Sequence, residues 1–165
     1  MTINKIKSQE ELAKIVSDLK KQGKKVITTN GTFDMTHAGH VCSLENIKKH
    51  GDVLVVGVNS DSSVKRYKSD KRPFIGENER IRMIASLNVV DYVTMFTEND
   101  PCALLEKLKP SLHAKGKDWE NKTCPEKEVV ERNGGKMIFV DSGSPITTTS
   151  IIQKILDVMK EEINN

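Results

Sequence analysis

Two histidines three residues apart, His37 and His40, flank Gly39 in the stretch Thr29-Asn-Gly-Thr-Phe-Asp-Met-Thr-His-Ala-Gly-His40. At that spacing they share one side of the first turn of a helix. A helix N-terminus presents free N–H groups and the positive end of the peptide dipole, which suits a phosphate. Imidazole N–H donors beside it add stabilisation where charge builds up in a transition state. Gly31 lets the backbone leave a strand in a tight turn, and Gly39 lets a ligand or another backbone come close. Taken alone, an H-x-x-H pair reads equally well as a surface or metal pair. Zinc would want a third protein ligand, and Cys42 is poorly placed because residues two apart do not share a helix face. No protein-bound metal is expected.

Cations and hydroxyls occur in two other places. Residues 65–72 (K-R-Y-K-S-D-K-R) carry a local charge of +4, whereas the whole chain carries +3. A concentrated patch on a near-neutral body suggests a local anionic ligand more than a nucleic-acid surface. Tyr67 is its only stacking aromatic, so nucleic acid is not expected as a partner. Lys65 and Lys68 follow a strand and reach the rim where the histidines lie, as mobile point charges for phosphate oxygens. Lys71 and Arg72, next to Pro73, read as solvated. Thr147, Thr148 and Thr149 precede an apolar helix, and their hydroxyls can cap it or meet phosphate oxygens.

The elements that position these groups alternate. Ser8 and Glu11 form a capping box ahead of Leu12, Ile15, Val16 and Leu19, and Gly23 ends that helix. A β-rich run over 25–29 turns at Asn30-Gly31 into a helix marked by Val41, Leu44 and Ile47. Residues 53–58 (V-L-V-V-G-V) are apolar on both faces, as in a central parallel strand. Then come a helix over 79–87, a strand over 92–96, a Pro101-started helix, a strand over 112–114, a Pro125-started helix and a strand over 136–140. The final helix spans about 149–162, with Ile151, Ile152, Ile155, Leu156 and Met159 on its buried side. This alternation predicts a doubly wound, Rossmann-like five-stranded parallel sheet of order 3-2-1-4-5. The ligand belongs at the carboxyl ends of its strands.

The chain has 165 residues, 30% charged and 4% aromatic. That length predicts one domain (1–165), with an N-terminal helix over 1–23 and a catalytic core over 24–165. Three scattered cysteines without a C-x-x-C pair speak against a disulfide framework and fit a reducing cytoplasm. No apolar run is long enough for a membrane span, and no signal-peptide pattern follows Met1.

With Gly31-Thr-Phe-Asp34 and H-x-G-H at His37, Gly39 and His40, the chain resembles the cytidylyltransferase-like branch of the nucleotidylyltransferases. The resemblance runs through Asn59-Ser-Asp61, Lys65 and Lys68, Glu79-Arg80, Val90-Asp91, Lys115-Gly-Lys-Asp-Trp119 and Thr147-Thr-Thr-Ser150. It implies catalytic roles for His37, His40 and Lys68, with Lys65 as a second candidate lysine. It implies nucleotide contacts from Gly31, Thr32, Phe33, Gly39, Gly116, Asp118, Thr147, Thr148 and Thr149. For the acceptor substrate it implies Asp34, Asn59, Asp61, Arg80, Lys115 and Trp119.

Within that branch, cytidylyltransferases for glycerol 3-phosphate and phosphocholine carry an arginine where this chain has Ser142. N-S-D-x-S-x-K-R at 59–66, R-P at 72–73, V-D-Y at 90–92, K-G-x-D at 115–118 and the glycine turn at 133–135 look like the adenylyltransferase domain of bacterial ADP-heptose synthases. The resemblance therefore implies ATP, with Mg²⁺ on its phosphates, and a heptose 1-phosphate, in a homodimer. A glycerol-3-phosphate cytidylyltransferase, an archaeal-type FAD synthetase and a non-catalytic nucleotide-binding module are the alternatives.

Overall fold

The computed structural model describes residues 2–164. Five strands, β1 (Val26–Gly31), β2 (Val53–Asn59), β3 (Tyr92–Phe96), β4 (Leu112–Gly116) and β5 (Lys136–Val140), form one sheet of order β3-β2-β1-β4-β5. Every pairing is parallel. The helices are α1 (Gln9–Lys21), α2 (Ala38–Lys48), α3 (Asp61–Tyr67), α4 (Glu77–Ser86), α5 (Cys102–Leu108), α6 (Pro125–Arg132) and α7 (Thr148–Asn164).

Both faces of the sheet are covered, which explains why its central strands read as unbroken apolar runs. Leu44 and Ile47 of α2 and Ile81, Ile84 and Ala85 of α4 pack on Ile27, Leu54, Val56 and Val58. On the opposite face, Leu12 and Val16 of α1 and Leu104 and Leu108 of α5 pack on Val26, Val55 and Phe96. Burying one such side chain contributes about 1.5–3 kcal/mol. The Ser8–Glu11 capping box opens α1, and Ser60 caps α3 by accepting from the Ser63 N–H.

Three expectations change. β1 does not turn at Asn30-Gly31, because its pairing with β2 continues to Gly31 opposite Val58. The left-handed backbone falls just beyond, at Phe33 (φ 53°) and Met35 (φ 56°). The basic run begins as a helix, α3, held by its Ser60 cap and by the buried Val64. Finally, the face of α7 expected to be buried lies open: Ile155, Leu156 and Met159 are 48%, 49% and 49% exposed. Periodicity correctly marked the apolar stripe, but the sheet's two faces are already filled by other helices.

Candidate active site

The loop from β1 to α2 brings the two histidines to the carboxyl end of the sheet, each with one ring nitrogen committed to the backbone. His37 is the N-cap of α2, and its Nδ1 accepts from the Gly39 N–H at 3.1 Å. The His37 N–H in turn donates to Nδ1 of His40 at 3.3 Å. The arrangement is a capping box in which imidazoles replace the usual hydroxyl and carboxylate. An accepting Nδ1 carries no proton, so the neutral ring holds its proton on Nε2.

The consequences differ for the two rings, which lie 4.0 Å apart. Nε2 of His37 lies 3.4 Å from the Thr148 hydroxyl, which donates to the Asp34 carbonyl at 3.3 Å. His37 thereby ties the first turn of α7 to the loop. His40 keeps Nε2 for the cavity, and among the described residues nothing accepts from it. Burial, the neighbouring His37 and the Lys68 cation push the His40 pKa down to about 4. Burial lowers that of His37 as well. Both are neutral N–H donors at pH 7.

A cavity of about 380 Å³ opens here. It is lined by Gly31, Thr32, Phe33, Asp34, His40, Lys68, Lys115, Gly116, Asp118, Trp119 and Thr148. A pocket of this size accommodates a small-molecule ligand. Lys68 closes α3, and its ammonium pKa is lowered by burial and by the Arg72 cation. Lys115 lies across the cavity but is not a free charge: Nζ donates to Glu126 at 2.5 Å and sits 4.0 Å over the Trp119 ring. Lys115 therefore holds the Trp119 wall in place.

Other candidates fall outside the cavity. Lys65 is exposed on α3, and Thr149 is exposed on α7. Thr147 caps α7 through a reciprocal pair of bonds with Ser150. Asn59 is buried and donates to Ser63. Arg80 is 1% exposed and donates to the Thr32 carbonyl, the Ile75 carbonyl and Asp61. Arg80 and Asp61 thus brace the loop from beneath. Gly39 admits a backbone, since a Cβ there would meet the Ile146 carbonyl at 2.5 Å. At Gly31 a Cβ would meet the Phe33 ring at 3.1 Å, so packing and not a turn calls for glycine.

One cation differs from expectation. Arg72 is not solvated: it donates to Asp34 at 2.7 Å, and Asp34 also accepts from the N–H groups of Phe74 and Ile75. Asp34, expected as a substrate contact, is thereby occupied within the loop. Two residues outside the expected site set also bear on it. Tyr67 hydrogen-bonds Thr32. Asn30 lines the cavity with a buried Oδ1 that has no partner among the described residues. An Asn-Gly pair in sequence signals a turn and carries no mark of an unpaired acceptor.

The parallel sheet thus brings the His40 imidazole donor, the start of α2 and Lys68 around one cavity, with His37 behind them on Thr148. Residues 28–155 match the family model described as cytidylyltransferase-like, and the chain belongs to that family. It is 46% identical over 158 residues to "Bifunctional protein HldE" of Geobacter metallireducens, spanning 96% of this chain and 32% of the relative. The protein of the same name from Geobacter sulfurreducens is 44% identical with the same coverage. The chain thus spans about a third of the length of these relatives. Among solved structures, the lipopolysaccharide core biosynthesis protein from Thermoplasma volcanium matches with a TM-score of 0.62 and 30% identity, over 72% of this chain and 98% of that one.

Proposed function

We propose that the chain transfers AMP from MgATP to a sugar 1-phosphate, D-glycero-D-manno-heptose 1-phosphate, giving ADP-heptose and pyrophosphate. An oxygen of the sugar phosphate attacks the α-phosphorus, and the bond to the bridging oxygen of pyrophosphate breaks. A phosphate monoester is already anionic near pH 7, so no strong protein base is required. Catalysis then rests on alignment and on charge stabilisation.

The observation that carries this reading is the fixed Nε2–H of His40 beside Lys68 in the cavity. That donor serves the α-phosphate, with Lys68 offsetting charge on the phosphate oxygens and the Thr148 turn facing the leaving pyrophosphate. Asp34 is engaged by Arg72 and two backbone N–H groups, so it offers no spare carboxylate oxygen for a metal. This supports magnesium arriving on the triphosphate, bound mainly by ATP and water.

Ser142 supports ATP over CTP: it replaces the arginine of the cytidylyltransferases, and its hydroxyl turns back onto the Ser144 carbonyl. The heptose acceptor is supported by the motif resemblance and by the lipopolysaccharide role named for the Thermoplasma relative. The same reading includes a cytoplasmic homodimer. Among the described residues, no helix is long and apolar enough to cross a membrane.

The test is a matrix of nucleoside triphosphates against sugar phosphates, scored by pyrophosphate release with magnesium. ATP with the heptose phosphate is expected to dominate. A CTP turnover tenfold above that of ATP, about 1.4 kcal/mol, overturns the nucleotide assignment.

A further inference from the structure

Tyr67 ends α3 with a side chain that faces two ways. The residue is 45% exposed, yet its hydroxyl meets the hydroxyl of Thr32, which is 6% exposed and lines the catalytic cavity. Among the described residues, this is the only hydrogen bond between α3 and the loop from β1 to α2. The other side of α3 is held by Arg66, which donates to the Thr97 carbonyl and to Asn99, beyond β3.

The bond lies just ahead of Lys68, whose ammonium is 5.8 Å from the centre of the Tyr67 ring. Past Lys68 the chain returns to the same loop, where Arg72 and the N–H groups of Phe74 and Ile75 meet Asp34. Thr32 and Asp34 are two residues apart. The segment carrying Lys68 is therefore fastened to one short loop at both ends, by Tyr67 before the lysine and by the Asp34 partners after it. A lysine is a point charge on a flexible stem, so its reach into the cavity depends on where its backbone is fixed.

The direction of the Tyr67–Thr32 bond matters as well. Burial raises the Tyr67 pKa above the usual phenol value, so the phenol keeps its proton at pH 7. A phenol is a stronger donor and a weaker acceptor than an alkyl hydroxyl, so Tyr67 donates and Thr32 accepts. A threonine hydroxyl has one proton to give as well as lone pairs to receive. With Tyr67 on a lone pair, the Thr32 proton is left for the cavity. Arg80 holds the Thr32 carbonyl from behind, which keeps the residue from turning away.

We propose that Tyr67 is a positioning residue for the anion site: its hydroxyl turns the Thr32 proton toward a triphosphate oxygen and holds the end of α3 so that Lys68 reaches the same triphosphate. Tyr67→Phe keeps the ring and removes both effects. Because both pass through one bond, they also vanish when Thr32 loses its hydroxyl. The inference rests on the triphosphate in the proposed function, but not on the sugar phosphate or on the choice of base.

Calorimetric titration with MgATP and with MgCTP, without any acceptor, tests it on the native chain, Tyr67→Phe, Thr32→Val and the double variant. Tyr67→Phe is expected to weaken triphosphate binding about two- to tenfold, the range of one net hydrogen bond. Thr32→Val should weaken it at least as much, and the double variant should match Thr32→Val alone. Thr32→Ser, which keeps the hydroxyl, should bind as the native chain does and should still lose affinity when Tyr67→Phe is added. Urea midpoints of Tyr67→Phe should stay near native, which separates positioning from a loss of fold. Native affinity in Tyr67→Phe overturns the proposal. Equal losses from Tyr67→Phe in the native and Thr32→Val backgrounds also overturn it, since the phenol then acts without Thr32. A native chain that binds neither nucleotide overturns this inference together with the proposed reaction, whereas binding without transfer to the heptose phosphate counts against the reaction alone.

Discussion

The backbone N–H of His37 donates to Nδ1 of His40 at 3.3 Å, so the ring that helps close the start of α2 is also the ring whose Nε2 faces the cavity. Structure and proposed chemistry are therefore joined in one side chain. His40→Ala should lose about 1 kcal/mol of stability, the usual cost of a removed cap. Turnover should fall by ~10²-fold, the order for losing one preorganised donor to developing charge. ATP affinity should change much less, since the donor matters most in the transition state. His40→Asn, which can still accept from the His37 N–H, should recover stability without recovering turnover. Thermal melts beside steady-state kinetics separate the two effects.

The two lysines of α3 and its cap should behave differently. Both side chains are exposed, but Lys68 lines the cavity and Lys65 does not. Lys68→Ala is expected to lower kcat/KM by at least tenfold, or about 1.4 kcal/mol of transition-state stabilisation. Lys65→Ala should leave turnover near native and stability within about 0.5 kcal/mol. Equal losses from both variants would assign the phosphate contact to the whole basic run.

Arg80 should report on stability. Its guanidinium is buried among the Thr32 carbonyl, the Ile75 carbonyl and Asp61. Removing one partner of a buried charged network typically costs about 3–5 kcal/mol. Arg80→Met should show that loss in urea unfolding. An Arg80→Met chain of native stability but poor acceptor affinity would place Arg80 among the substrate contacts.

His113 gives the fold a sensitivity to acid. It is fully buried in β4 with Nδ1 2.8 Å from the Thr28 hydroxyl, and burial with the Lys115 cation pushes its pKa down to about 3. An unfolded histidine binds its proton near pH 6.5, so below that value the unfolded chain gains a proton that the folded chain refuses. Its contribution is full above pH 6.5 and is lost as the pH falls toward 3, with a slope of about 1.4 kcal/mol per pH unit. Urea midpoints between pH 7 and 4 should therefore fall more steeply for the native chain than for His113→Gln. Parallel slopes in the two chains would contradict the buried neutral ring.

The strands most legible in the sequence are those with clear punctuation on both sides. β3 and β5 run over 92–96 and 136–140 as read, between Asp91 and Thr97 and between Gly135 and Asp141. The H-x-G-H loop was legible as well, because its glycine spacing and the strand before it are local features. What was not legible depends on distant partners. Arg72 reads as solvated until the fold brings Asp34 within 2.7 Å. Arg80 stands only as an acceptor contact until the fold closes the Thr32 and Ile75 carbonyls over it. The period of α7 names its apolar face correctly, yet whether that face is covered depends on what packs beside it. The short α3 was hidden because Val64 is the one aliphatic residue in a charged run.

The proposed reaction transfers the AMP moiety of ATP to a sugar phosphate. Phosphorus NMR of the protein with MgATP and D-glycero-D-manno-heptose 1-phosphate tests it most directly. The triphosphate signals are expected to decay as pyrophosphate and the paired resonances of a sugar–AMP diphosphate rise in equal amounts, with little product when CTP replaces ATP. Release of inorganic phosphate and ADP with the sugar phosphate unchanged would contradict it.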